Sequence, residues 1–271
     1  MSVKKEPSGR RSVQVEVEVP GTPEEVWQAI ASGPGISSWF VPTTFEEKDG
    51  QPVAVTMNFG PGMESTSKIS KWDPPRMFAA QGEGWGGSPP MATEWSVEAR
   101  GGNCLVRVVH SLFASTDDWD NQLEGTESGW PGFFRILRIY LTHFRGQRSA
   151  IMQFLAPVAG TEAEAWETLT ASLGIKGANA GQRCTAPASV PALGGVVEHA
   201  TQRPFNALVR LDKPGPGTAA FGAVNCGAII VTLSFYLYGD QAASIVAREQ
   251  PLWEAWIKER FPMPSEAGKG E

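Results

Sequence analysis

The chain has 271 residues, of which 41% are hydrophobic and 19% charged, and its formal net charge is −6. This length favours two domains, since single domains commonly span about 100–150 residues. The acidic balance, with no visible basic patch, argues against a nucleic-acid partner because phosphate binding needs a basic face.

The two ends of the chain predict no structure of their own. Residues 1–11 carry charges and turn-forming residues but no apolar stretch, so we expect a disordered tail and no signal peptide. Residues 264–271 predict a second disordered tail. The stretch 214–239 has no charged residue, but its turn at 225–227 and its β-branched runs predict two strands and no membrane helix.

The three cysteines, Cys104, Cys184 and Cys226, include no CxxC pair. An odd number without that spacing favours single buried thiols over a disulfide framework or a zinc site. Reduced thiols of this kind are typical of cytoplasmic proteins, so we expect a cytoplasmic location.

The beginnings of the two halves repeat one pattern. Residues 14–27 (QVEVEVPGTPEEVW) and 151–166 (IMQFLAPVAGTEAEAW) each predict a strand, then Gly-Thr, then an acidic helix start with a Trp five residues after the Thr. In each copy the Thr is a favourable N-cap, and a Glu three residues later completes a capping box. The two pairs are Thr22 with Glu25 and Thr161 with Glu164.

Each half also predicts several antiparallel strands and then a long amphipathic helix. In the first half, alternation and turn residues predict strands over 12–19, 51–59, 64–72, 76–82, 91–99 and 104–113. The corresponding segments of the second half are 150–156, 195–201, 205–212, 218–224 and 228–238. Helical spacing of apolar residues over 130–144 and again over 242–261 predicts the closing helices.

This order predicts an α+β architecture present twice, over residues 12–147 and 148–263. In each copy a curved antiparallel sheet would wrap around its long C-terminal helix. A strongly curved sheet leaves space between itself and the helix, and a ligand would lie in that space.

Several short motifs of the first half appear in the order of a known family. They are PGTPEEVWQAI at 20–30, SWF at 38–40, ISKWDPPRMF at 69–78, TEWSV at 93–97, VRVVHSLF at 106–113, and Gly129-Trp130 at the start of the final helix. Through these motifs the first half resembles the activator-of-Hsp90-ATPase-like branch of the START-like (SRPBCC) and polyketide-cyclase superfamily. The second half shares only the layout, since it lacks the DPPR turn, the Trp-Phe pair and the histidine.

The resemblance implies a helix-grip fold that holds hydrophobic small molecules such as lipids, polyketides or other aromatic metabolites. Some members of the superfamily are cyclases or hydrolases, others only bind or sequester, and one branch stimulates a chaperone ATPase. Fold alone does not decide among these functions.

The first half carries more aromatic residues than a small core normally needs, and rings commonly wall apolar pockets. We therefore expect a ligand site lined by Trp39, Phe40, Phe59, Phe78, Trp85, Trp95, His110, Phe113, Trp130, Phe133, Phe134 and Leu137. Core packing is the competing interpretation for any of these rings.

Two groups of residues could carry chemistry. His110 could act as a general acid or base or bind a ligand carbonyl, or it could be a hydrogen-bonded strand histidine. The carboxylates in Asp117-Asp118-Trp119-Asp120 could do proton transfer or hold a cation, although a solvated loop before a helix is the commoner arrangement.

The leading hypothesis is therefore a binding protein for an apolar or aromatic natural product or lipid, used for sequestration, self-resistance or biosynthesis. The first alternative is a cofactor-free cyclase, aromatase or hydrolase that uses His110. The second is a protein-interaction or chaperone-modulating module. No nucleophile, metal-ligand spacing or cofactor motif is evident, so we expect no metal, no cofactor, no nucleic acid and no membrane partner.

Overall fold

A computed structural model describes residues 3–60, 62–83, 87, 89–202 and 205–262. The chain divides into two compact units, Met1–Arg148 and Ser149–Glu271, which we call the first and the second domain.

The first domain is a curved antiparallel sheet with one long helix. Its strands are β1 (Lys4–Lys5), β2 (Arg10–Pro20), β3 (Thr43–Lys48), β4 (Gln51–Asn58), β5 (Glu64–Asp73), β6 (Met77–Gly82), β7 (Met91–Arg100) and β8 (Asn103–Phe113). Its helices are α1 (Pro23–Ile30), α2 (Gly33–Ser37) and α3 (Asp120–His143). Along the sheet the strands follow the order β1-β2-β8-β7-β6-β5-β4-β3.

The second domain repeats this plan on a smaller scale. Its strands are β9 (Ser149–Val158), β10 (Arg183–Thr185), β11 (Gly194–Gln202), β12 (Phe205–Lys213), β13 (Gly217–Asn225) and β14 (Ile229–Tyr238), in the sheet order β10-β11-β12-β13-β14-β9. Its helices are α4 (Glu162–Leu173) and α5 (Ala242–Arg260). The predicted α+β helix-grip architecture, present twice, is confirmed.

The repeated helix starts are built as the sequence predicts. The Thr22 hydroxyl accepts a hydrogen bond from the Glu25 amide, and the Glu25 carboxylate accepts one from the Thr22 amide. Thr161 and Glu164 form the same reciprocal pair at α4. Both predicted capping boxes are therefore confirmed, and each satisfies amide groups that a helix start otherwise leaves unpaired.

The expected disorder of residues 1–11 is wrong for the described part of that segment. Lys4 and Lys5 pair with Ser12 and Arg11 as an edge strand, and β2 already begins at Arg10. The cause is electrostatic as well as hydrophobic, because Lys5 and Arg11 bind carboxylates near the start of α3 and Val3 is buried. The tail predicted over 264–271 lies outside the described residues.

Three further expectations need correction. Helix α3 begins at Asp120, nine residues before the expected Gly129, and glycines within its first turns hid that start. Strands β3 and β10 were not predicted; they are short strands at the sheet edges, where alternation is weak. Cys226 is exposed at the turn between β13 and β14, whereas Cys104 and Cys184 are buried as expected.

Candidate functional site

A cavity of about 420 Å³ lies in the first domain between α3 and the concave face of the sheet. Its volume is within the range of small-molecule sites, which is about 300–1,000 Å³. The lining residues come from α3, from strands β4 to β8, and from the segments that join these elements. They are Phe40, Val55, Met57, Phe59, Ser65, Ser67, Phe78, Ala80, Gly82, Glu83, Met91, Thr93, Trp95, His110, Gln122, Gly125, Thr126, Gly129, Trp130 and Phe133.

Strand register explains which side chains reach the cavity. Successive residues of a strand point to opposite faces, so every second residue lines the concave side. One row across the sheet runs through Phe78 and Trp95. The next row runs through Ala80, Thr93 and His110.

A third row runs through Val55, Ser67, Gly82 and Met91. The cavity floor therefore changes from aromatic at the Trp95 row to non-aromatic at the Ser67 row, where Ser67 and Gly82 lie between Val55 and Met91.

Helix α3 closes the cavity with a single face. Gln122, Thr126, Gly129, Trp130 and Phe133 are spaced at helical intervals and all line it. Gly125 and Gly129 leave the backbone of this face open, since a Cβ at either position would meet no other atom within 4 Å. The helix thus approaches the ligand space with bare backbone near its start and with rings further along.

The aromatic end of the cavity is a continuous ring cluster. Phe40 meets Phe133 edge-to-face with centroids 4.5 Å apart, and it lies 5.3 Å from Trp130. Trp130 in turn meets Trp95 edge-to-face at 5.1 Å, and Trp95 stacks on Phe78 at 6.4 Å. Such arrangements hold the rings rigidly and present apolar faces and edges to the cavity.

His110 is held by hydrogen bonds at both ring nitrogens. The Nε1–H of Trp130 donates to His110 Nε2 over 2.7 Å, and His110 Nδ1 lies 3.0 Å from the Thr93 hydroxyl oxygen. An indole N–H can only donate, so Nε2 is the acceptor and the neutral ring carries its proton on Nδ1. Burial lowers the pKa of His110 to about 4, so the ring is neutral at pH 7.

Most of the residues predicted for the site lie at the cavity. Phe40, Phe59, Phe78, Trp95, His110, Trp130 and Phe133 line it. Trp39, Phe134 and Leu137 are fully buried behind this wall and do not line it; the Trp39 indole donates to the Ala29 carbonyl over 2.9 Å. Trp85 lies outside the described residues.

Phe113 was wrongly placed in the cavity. It is 63% exposed, and it is not among the lining residues. The reason is strand parity: Phe113 is three residues after His110 on the same strand, so the two side chains point to opposite faces.

Sequence reasoning missed the polar and small lining residues. Gln122, Gly125 and Thr126 escaped notice because the closing helix was expected to begin later. The signal that could have found them is the interval of three and four residues that leads back from Trp130 through Thr126 to Gln122. Ser65, Ser67 and Thr93 carried no such signal, because alternation alone does not say which face of a strand is concave.

The acidic segment before α3 forms a paired ionic cluster. Asp117 and Asp120 each bind both Lys5 and Arg11, with N–O distances of 2.6 to 2.9 Å. Hydrogen bonds from Lys5 are the largest cause of the lowered pKa of each of these two carboxyls. This arrangement ties the N-terminal strands to α3, and it leaves these two carboxylates as structural partners of cations.

The second domain has an equivalent of the His110 site built from apolar residues. Met152 follows Val13 by the same number of residues as Thr161 follows Thr22, so the two positions correspond in the repeat. Val13 pairs with His110 in the first sheet, and Met152 pairs with Phe235 in the second. On the next strand, Thr93 pairs with His110 and Ala219 pairs with Phe235. Phenylalanine and alanine therefore replace the hydrogen-bonded His–Thr pair.

The helix tryptophan of this site is retained in the second domain. Trp253 of α5 packs on Phe235 with centroids 4.8 Å apart, as Trp130 packs on His110. Within the described residues the Nε1 of Trp253 is buried and has no hydrogen-bond partner. The second copy thus keeps the tryptophan of the pair and lacks its acceptor.

The described part of the chain has neither a cluster of potential metal ligands nor a helix that could span a membrane. No group of three or more His, Cys, Asp or Glu side chains in this part of the chain is arranged to hold a metal ion. In the same residues, no helix combines the length and apolar character needed to cross a membrane.

Comparison with solved structures gives distant similarities. The di-domain aromatase/cyclase BexL from the BE-7585A biosynthetic pathway is 12% identical, with 94% of this chain and 99% of that chain covered and a TM-score of 0.44. DynU16, a putative protein in the dynemicin biosynthetic locus, is 17% identical over 90% of this chain and 95% of its own, with a TM-score of 0.42. CalU16 from Micromonospora echinospora is 18% identical over 52% of this chain and 83% of its own, with a TM-score of 0.42.

Sequence comparison finds one family model that matches the first domain. No curated protein matches the chain. Residues 10–139 match the family described as polyketide cyclase / dehydrase and lipid transport, and this range contains every residue that lines the cavity. The first domain is therefore similar in sequence to the polyketide cyclase / dehydrase and lipid transport family.

Proposed function

We propose that the first domain binds an apolar, largely aromatic small molecule between α3 and the concave face of the sheet. The observation that carries the proposal is the ring-walled cavity of about 420 Å³. Buried tryptophan and phenylalanine faces would stack on a flat hydrophobic molecule and remove it from water. The similarity of residues 10–139 to the polyketide cyclase / dehydrase and lipid transport family supports this proposal, since polyketides and lipids are both largely apolar molecules.

The role that we propose is to hold the molecule, either to sequester it or to carry it within a biosynthetic pathway. Two features of His110 favour binding over acid–base catalysis. Its lowered pKa makes it a weak base, and its unprotonated nitrogen, Nε2, already accepts a hydrogen bond from the Trp130 N–H. Proton abstraction at Nε2 would therefore require Trp130 to move away first.

The proposal is tested by titrating the full chain with 2-naphthol, a two-ring probe small enough for the cavity. We expect saturable quenching of tryptophan fluorescence with one site per chain. Unfolding of the first domain should also shift to higher denaturant as the probe saturates it. Absence of both effects would overturn the proposal.

The His110→Gln variant separates binding from catalysis. Glutamine keeps an acceptor for Trp130 but cannot act as a general base near neutral pH. We expect 2-naphthol affinity within about threefold of the wild-type value, since most of the apolar contact area is unchanged. If a polyketide-like substrate were turned over by the wild-type chain and not by this variant, the enzymatic alternative would replace the binding proposal.

A further inference from the structure

The beginning of α3, residues 120–130, is held less firmly by the core than the rest of the helix. It buries two apolar side chains, Leu123 and Trp130, together with the carboxylate-bearing Glu127. Burial of a carboxylate costs free energy, whereas burial of an apolar side chain gains it. The remainder of α3, residues 131–143, buries Phe134, Ile136, Leu137, Ile139, Tyr140 and Leu141. The two parts of the helix therefore differ in how strongly they are bound to the sheet.

The backbone of this first part is also poorly suited to a helix. Gly125 and Gly129 belong to the residue type with the lowest helix propensity after proline. Pro131 lies inside the helix and has no amide hydrogen, so the Glu127 carbonyl lacks its usual partner four residues later. At the other end, Trp119 occupies the N-cap position, and within the described chain its side chain makes no capping hydrogen bond. Both ends of the segment are thus weak points of the helix.

The N-terminal residues 3–5, which we call the latch, hold this segment from outside. Lys5 binds Asp117 and Asp120, each over 2.9 Å. Val3 packs in one cluster with Leu123. One group of ion pairs and one apolar contact therefore fasten the start of α3 to the edge of the sheet.

The same segment closes one side of the cavity. Gln122, Gly125, Thr126 and Gly129 line it. Gly125 and Gly129 are also exposed to solvent, so this stretch of helix is the layer between the cavity and water. Movement of the segment away from the sheet would open the cavity along the helix.

We propose that residues 117–128 form a lid, that residues 129–132 are its hinge, and that the latch sets how often the lid opens. The proposal rests on the function proposed above, since it names the route by which a ligand enters and leaves the cavity. Exchange through a sparsely populated open state multiplies the association and dissociation rate constants by the same factor. The latch therefore controls the rate of ligand exchange and leaves the dissociation constant unchanged.

Hydrogen exchange tests the lid without a ligand, by comparing Lys5→Gln with Lys4→Gln. Lys4 is the matched control because it is the neighbouring residue of β1 and binds Glu6 at 3.7 Å. In the wild-type chain we expect the amides of residues 124–128 to exchange together, with protection factors about tenfold or more below those of residues 136–141.

Lys5→Gln should accelerate exchange of the lid amides about fivefold, which corresponds to the loss of two partly exposed ion pairs. The amides of residues 136–141 should be unaffected, and Lys4→Gln should change neither group. Lid amides that exchange as slowly as residues 136–141 would overturn the proposal, as would equal effects of the two lysine substitutions.

Stopped-flow mixing with 2-naphthol tests whether the lid is the entry route. Lys5→Gln should raise both rate constants about fivefold and leave the dissociation constant within about twofold of the wild-type value. Unchanged rate constants in a variant whose lid amides exchange faster would overturn the lid as the route. Failure of 2-naphthol to bind the wild-type chain would overturn the proposed function, and hydrogen exchange would still decide whether the lid exists.

Discussion

The Nε1–H of Trp130 on α3 donates a 2.7 Å hydrogen bond to Nε2 of His110 on β8. This bond crosses the cavity wall and joins the long helix to the centre of the sheet. It also decides the chemistry of His110, because the nitrogen that could act as a base is the nitrogen that accepts the hydrogen bond from the tryptophan N–H. The same pair fixes the rotamer of Trp130, whose ring forms part of the aromatic end of the cavity.

The buried His110 makes stability depend on pH in a defined window. In the unfolded chain a histidine binds a proton near pH 6.5, whereas burial lowers the folded-state pKa to about 4. The unfolded state therefore binds more protons between these values, and the stability of the native state falls as pH drops from 6.5 to 4. The integrated loss is about 3 kcal/mol.

This loss is measured by comparing the wild-type chain with His110→Gln in denaturant titrations from pH 8 to pH 4. The variant should lack the part of the loss that lies between pH 6.5 and 4. Carboxyls with lowered pKa values, such as Asp117 and Asp120, add a further loss at lower pH in both proteins. Superimposable pH profiles would show that His110 is not a buried neutral group.

Trp130 and Trp253 form a matched pair for testing the hydrogen bond. Trp130→Phe leaves the Nε2 of His110 buried without a donor, whereas Trp253→Phe removes an N–H that has no acceptor in the described structure. Both changes remove a similar amount of packed ring. We therefore expect Trp130→Phe to cost about 1–2 kcal/mol more than Trp253→Phe.

Hydrogen exchange of the backbone amides in the central strands measures the loss of stability in each domain separately. The relevant strands are β8 for Trp130 and β14 for Trp253. Equal losses at the two positions would argue that the Trp130–His110 bond contributes no net stability.

The ionic cluster at the N-terminal strands makes a third prediction. Arg11 is 7% exposed and binds Asp117 and Asp120, whereas its neighbour Arg10 is partly buried and, among the described residues, forms a salt bridge with Glu6 alone, at 3.2 Å. Arg11→Gln leaves two carboxylates without one of their cations and disrupts the link to α3. The midpoint shift for Arg11→Gln should be roughly two- to three-fold larger than for Arg10→Gln, because Arg11 is buried and bridges two carboxylates, whereas a single pair near the surface contributes little.

Chemical denaturation of the two variants checks this difference, and the wild-type chain is the reference. A shift for Arg10→Gln as large as that for Arg11→Gln would mean that the cluster does not anchor the N-terminal strands.

The sequence predicts repeated local patterns well and long-range geometry less well. The capping boxes at Thr22 and Thr161 are short-range hydrogen-bond patterns, and both are confirmed. The six strands predicted for the first half are found with small shifts at their ends, because alternation is a local signal, whereas the short edge strands β1 and β3 are not predicted. The tail at 1–11 was misjudged because Arg11 finds its carboxylates more than a hundred residues away.

In the candidate site, too, residue types can be predicted from the sequence, whereas side-chain directions depend on long-range geometry. Aromatic residues such as Trp95 and Trp130 are evident from composition, but their inward direction depends on register and on the curvature of the sheet. Phe113 could have been excluded by counting residues from His110, since an odd separation on one strand reverses the face. Gln122 could be recognised only by following the helical interval back from Trp130, past the glycines that obscure the helix start at Asp120.

The most direct test of the central claim is a calorimetric titration of 2-naphthol into the wild-type chain, Gly129→Leu and Gly132→Leu. Both glycines lie in α3 with open space at the Cβ position, but only Gly129 lines the cavity. Each change should stabilise the helix by about 0.5–1 kcal/mol through its backbone propensity. We predict that Gly129→Leu abolishes binding while Gly132→Leu binds like the wild-type chain, and unaltered binding by Gly129→Leu would contradict a ligand site between α3 and the sheet.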